Sequence, residues 1–133
     1  MPNYTLPAPG THFITLAAAV AMTTLYRNER EQILQPEYRG KNLLCTSETF
    51  SLSDLNALLQ EPGCAGFRIY YGMKEDKTVH AILVGTDATG NDLLPTVKTT
   101  GEITAKNDGD DSLILQEGQR CPPLCPDPSP LNP

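Results

Sequence analysis

An α+β domain is the fold class this sequence predicts: a small antiparallel sheet built on a central β-hairpin, with two amphipathic helices packed on one face. Three observations predict it. Residues 67–87, FRIYYGMKEDKTVHAILVGTD, form two arms rich in β-branched and aromatic residues around a charged, Gly-led loop. Two stretches ahead of them carry helical periodicity, each opened by a hydroxyl residue and closed by proline. Behind them come only short apolar runs divided by turn residues and prolines.

At 133 residues the chain fits a single domain, 1–133, with an extended arm at 1–12 and a proline-rich tail at 121–133. The arm carries Pro2, Pro7, Pro9 and Gly10. The first helix then starts at an N-cap, Thr15, and runs to about Gln35, where Pro36 stops it. On a helical wheel Leu16, Ala19, Met22, Thr23, Tyr26, Ile33 and Leu34 gather as its core stripe. Arg30 falls within that stripe, as a snorkelling side chain or as one aimed at an anion. Tyr38, Arg39 and Gly40 mark a turn, and residues 43–46 suit a short strand.

Ser51 opens the second helix, with Asp54 completing a capping box and Leu52, Leu55, Leu58 and Leu59 as its stripe. Pro62-Gly63 ends it. In the hairpin, opposing Tyr71 to Val79 puts Phe67, Ile69, Tyr71, Val79, Ala81 and Leu83 on one face, expected to pack on Leu55, Leu58 and Leu59. The other face then holds Arg68, Tyr70, His80, Ile82 and Val84. Residues 93–97 suit a further short strand, 99–111 reads as a polar, mobile stretch, and 113–115 is a last short apolar run. In the tail, Cys121, Leu124 and Cys125 are expected to dock on the body, with mobility beyond Asp127.

The formal net charge of −6 argues against a nucleic-acid partner, which needs a concentrated basic face, and against an anionic membrane surface. The uncharged run FITLAAAVAM at 13–22 is too short to span a bilayer and follows no basic residue, so a cytoplasmic location is expected. Cys45, Cys64, Cys121 and Cys125 read first as reduced thiols, then as a local disulfide, then as metal ligands. An extended CPPLC segment would hold its end α-carbons roughly 12 Å apart, and no zinc knuckle is present. No metal or other cofactor is expected; were there a metal, Cys121 and Cys125 would be its ligands.

At YRGK (38–41), PGC (62–64), RIYYGM (68–73), LVG (83–85) and CPPLC (121–125) the chain resembles a family of small uncharacterised bacterial proteins. The resemblance implies bacterial origin and a single domain, and it carries no activity or catalytic residue.

Three functional readings follow. The first is a non-enzymatic module for protein–protein or self-association, using the hairpin edge and the tail. The second is a small-ligand-binding or enzymatic domain on Arg68, Tyr70 and His80, three polar groups among Ile82 and Val84. The third is a thiol-redox or zinc-binding protein using the cysteines.

Overall fold

The computed structural model describes residues 5–95 and 113–133. They form an α+β fold with two helices and two antiparallel sheets, in the order α1 (Leu16–Glu29), a 3-10 turn (Pro36–Tyr38), β1 (Ser47–Thr49), α2 (Leu52–Leu59), β2 (Gly66–Met73), β3 (Val79–Thr86), β4 (Asp92–Leu93), β5 (Ile114–Leu115) and β6 (Gln119–Cys121). The chain divides into two compact, interleaved units. One comprises Met1–Pro7, Phe50–Gly72 and Ala81–Glu117; the other comprises Ala8–Thr49, Met73–His80 and Gly118–Pro133. The expected mobile stretch at 99–111 and the end of the strand expected at 93–97 lie outside the described residues.

The first unit is built on β3, which pairs with β2, β4 and β5. Its core is Leu58, Leu83 and Val84, with Leu58 wholly buried. Ser51 caps α2 by accepting the Asp54 N–H at 3.2 Å, as its spacing predicts, and α2 packs on β5. The leucine stripe is narrower than expected: Leu58 is buried, Leu55 is half-buried, and Leu52 and Leu59 are exposed. Gly63 closes the turn after α2 at φ +82°, a conformation that costs a residue with a Cβ. At Gly85 a Cβ would lie 3.2 Å from Cys64 Sγ, so this stretch of β3 tolerates only glycine without adjustment.

The expected burial of Phe67, Ile69 and Tyr71 does not occur; all three are exposed, Tyr71 at 80 %. Alternation assigns residues to two faces but does not say which face meets the core. Here Ile82 and Val84 made both faces of the hairpin apolar enough to serve. From Leu83 to Thr86 every residue of β3 is buried, as in a strand covered on both sides, so alternation is lost there.

In the second unit β1 and β6 form a two-stranded sheet, pairing Glu48 with Arg120 and Ser47 with Cys121. Thr15 caps α1 as expected, accepting the Ala18 N–H at 3.1 Å. The helix stops at Glu29, six residues short of its expected end. The carbonyls of Glu31, Gln32 and Leu34 are instead held by the Arg39 guanidinium at 3.0–3.2 Å. The strand expected at 43–46 forms one turn later, as β1.

The tail departs furthest from its reading. Cys121 and Cys125 are joined by a disulfide with their α-carbons 4.6 Å apart, so they are not free thiols; Cys45 and Cys64 are. The extended-chain distance fails because the segment turns back on itself, and the Leu124 N–H reaches the Arg120 carbonyl at 3.0 Å. Both Cys121–Pro122 and Pro122–Pro123 peptides are cis. Beyond Asp127 the tail is anchored: Arg27 donates to the Leu131 carbonyl at 2.8 Å, and Ser129 bridges Asn132.

Candidate functional site

The three residues singled out on the hairpin fall into two separate polar clusters. Arg68 and Tyr70 project from β2 onto one carboxylate, Asp92, which receives the guanidinium on one oxygen and the phenol on the other. A second Arg68 nitrogen donates to the Gly90 carbonyl at 2.8 Å. The turn that delivers Asp92 is held by Asp87, whose carboxylate accepts the backbone N–H groups of Thr89 and Asn91 and the Thr89 hydroxyl, all within 3.0 Å. These donors, the Asn91 N–H first, hold the Asp87 carboxyl below the usual aspartate range. The hydrogen bond to Asp92 moves the Tyr70 phenol the other way, above its ordinary value. In this cluster the charges satisfy one another. The guanidinium is occupied by Asp92 and Gly90 and does not point at a vacant anion site.

His80 belongs to the second unit and is buried there. The Thr78 hydroxyl lies 2.6 Å from Asp76 Oδ1 and 2.7 Å from His80 Nε2. A hydroxyl has one proton, and the Asp76 carboxylate can only accept it. Thr78 Oγ1 must therefore accept from His80 Nε2–H, which leaves Nδ1 facing Glu48 Oε1 at 3.9 Å. The hydrogen-bonded chain therefore runs from the Asp76 carboxylate through the Thr78 hydroxyl to the His80 imidazole, and the 3.9 Å approach to Glu48 is too long to extend it. Neither the expected three-residue site nor a catalytic arrangement of it forms. The sequence reading missed Asp92, Glu48 and Asp76. Asp92 was the legible one, since it closes the turn-forming run DATGND at 87–92.

Beside the hairpin loop, Leu34, Tyr38, Leu43, Leu44, Met73, Lys77 and Val79 line an apolar cavity of about 360 Å³. None of Arg68, Tyr70 and His80 lines it. Among the described residues, no group of three or more His, Cys, Asp or Glu side chains is placed to hold a metal ion. No described helix is long and apolar enough to cross a membrane.

The largest departure from ordinary packing is α1. No residue of this helix is buried. Its inward positions are Ala19, Val20, Thr23, Thr24, Arg27 and Arg30, mostly polar. Arg30, with a side chain only 15 % exposed, donates to the Leu44 carbonyl and reaches Asn42; Tyr26 donates to the Cys45 carbonyl at 2.6 Å; Arg27 takes Leu131. Arg30 thus neither snorkels nor waits for an anion. Partial burial of Tyr26 pushes its phenol above the ordinary value. The outward positions are Ala17, Ala18, Ala21, Met22 and Leu25, with the polar Asn28 and Glu29 at the C-terminal end; Met22 is 66 % and Leu25 64 % exposed. The expected stripe is therefore split: Leu16, Met22 and Ile33 are exposed, while Ala19, Thr23 and Leu34 are half-buried. Met22, Leu25, Tyr26, Glu29, Arg30 and Ile33 line a shallow groove of about 310 Å³.

No family model, no curated protein and no solved structure matches this chain.

Proposed function

We propose that this protein is a non-enzymatic association module that works through the outward face of α1. One observation carries the reading: the helix turns polar side chains inward, onto backbone carbonyls, and apolar side chains outward. Single exposed apolar residues are ordinary, but a continuous apolar helix face marks a contact surface. The ligand-binding alternative on Arg68, Tyr70 and His80 has less support, because Arg68 and Tyr70 are engaged with Asp92 and His80 with Thr78. The bacterial origin implied by the residue runs quoted above forms part of the reading.

Location enters it as well. A cytoplasmic chain keeps its thiols reduced, whereas the Cys121–Cys125 bridge favours an oxidising compartment, where such bonds persist. Alkylation of protein taken directly from its cells separates the two: two reactive thiols for the bridged chain, four for the reduced one.

To test the function, a photo-reactive residue is placed at Leu25 in the cells that make the protein. A discrete protein adduct is the expected result. An absence of adduct at Leu25, with normal amounts of folded protein, overturns the reading.

A further inference from the structure

Resting on that association reading, we infer that the partner of α1 is a second copy of this chain, bound through an antiparallel α1–α1 pairing about a twofold axis near Ala21 and Met22. The face is self-complementary only in that direction. Its N-terminal half is small (Ala17, Ala18, Ala21) and its C-terminal half is large (Met22, Leu25). An antiparallel pair sets Ala18 of one copy against Leu25 of the other, and Ala21 against Met22, so that large side chains enter gaps left by small ones. A parallel pair would set leucine on leucine and alanine on alanine, leaving voids at one end.

The ends of the helix fit the same geometry. Just ahead of the Thr15 cap stand Phe13 and Ile14, 88 % and 63 % exposed. At the far end lies the open groove formed by Met22, Leu25, Tyr26, Glu29, Arg30 and Ile33. Antiparallel pairing about residues 21 and 22 brings residues 13 and 14 of each copy opposite residues 29 and 30 of the other. Each aromatic knob thus reaches the other copy's groove. Charge agrees as well: the first turn of α1 carries no acidic residue, and the pairing brings the partner's Glu29 to that positive helix end. Glu29 is the only charged side chain on the outward face.

The apolar area of the contact comes from Phe13, Ile14, Met22 and Leu25, each more than 60 % exposed. An isologous contact of this kind closes on itself and leaves no apolar surface to propagate.

Sedimentation equilibrium of the full chain across a micromolar concentration series tests the pairing. A monomer–dimer equilibrium is expected, weakened at least about tenfold by Leu25→Asp. Phe13→Ser, which lies ahead of the helix and is almost fully exposed, should weaken it likewise without touching the fold. Orientation is read from oxidative cross-linking with Cys45 and Cys64 replaced by serine. Ala21→Cys should form a covalent dimer, whereas Glu29→Cys should not. A monomer at every concentration overturns the pairing, and a covalent dimer through Glu29→Cys overturns its direction. The association reading fails separately. A Leu25 photo-adduct whose mass is not twice the chain's would remove self-pairing yet leave a different protein on the same face.

Discussion

The two helices of this protein start alike and end up doing opposite things. Each is opened by a hydroxyl N-cap that accepts the N–H three residues on, and each carries apolar residues at helical spacing. Yet α2 buries Leu58 completely, while α1 buries nothing and turns Met22 and Leu25 outward. What separates them is their inward side chains. At α2 the inward group is a leucine, and solvent exclusion holds the helix. At α1 the inward groups are Arg27, Arg30 and Tyr26, and hydrogen bonds to the carbonyls of Leu131, Leu44 and Cys45 hold it. A helix anchored by directional polar bonds need not spend its apolar face on its own core. That face is then free for contact with another molecule.

The contrast breaks most readily at the leucines. Leu58→Ala should destabilise the fold by about 2–5 kcal/mol, the usual cost of truncating a fully buried leucine. Leu25→Ala, measured by urea unfolding of dilute protein, should stay within about 0.5 kcal/mol of the parent. Equal losses at the two positions would make α1 a core helix like α2.

Next in size is the polar anchor. Arg30→Met keeps the apolar stem but removes the charged donor from the Leu44 carbonyl, at an expected cost of about 1.5–3 kcal/mol. If the variant unfolds at the parent's urea midpoint, polar anchoring of α1 is the wrong account.

The tail sharpens the comparison from the other side. Opening the disulfide with Cys125→Ser releases a very short loop and should cost about 2 kcal/mol. Removing the residues after Asp127 deprives Arg27 of the Leu131 carbonyl and should lower stability by about 1 kcal/mol. Coincident melting curves for the full and shortened chains would show the last residues to be idle.

The smallest expected effect lies in the turn before β4. Because backbone N–H groups hold the Asp87 carboxyl below its ordinary range, the turn gains stability above the ordinary aspartate pKa. It loses that gain as pH falls through the lowered value. The amide resonances of Thr89 and Asn91 should therefore shift only in clearly acid solution. A transition in the ordinary carboxylate range would show that Asp87 is not the acceptor.

Much of this fold is written in local signals. The caps at Thr15 and Ser51, the left-handed Gly63 and the hairpin each rest on residues that decide their own neighbourhood, and they stand where the sequence reading put them. What local signals cannot carry is which side of an element meets the rest of the protein. Phe67, Ile69 and Tyr71 alternate as a buried face should, and are exposed because β3 is covered through its other contacts. Met22 sits in a helical stripe, and is exposed because Arg27 and Arg30 found carbonyls 104 and 14 residues away. Arg68, Tyr70 and His80 were legible as polar residues on one strand face. Their partners, Asp92 and Glu48, lie on elements whose pairing no spacing rule supplies. The disulfide ranked below free thiols for a related reason: a proline run read as extended turned within four residues.

The central claim is that the outward face of α1 is covered by a second copy of this chain, and methionine reactivity tests it most directly. Met22 and Met73 are similarly exposed, at 66 % and 63 %, but only Met22 lies on α1. With mild peroxide, the account predicts that Met22 oxidises progressively more slowly as the pure protein is concentrated, while Met73 keeps a constant rate. Equal and concentration-independent rates at both methionines would contradict it.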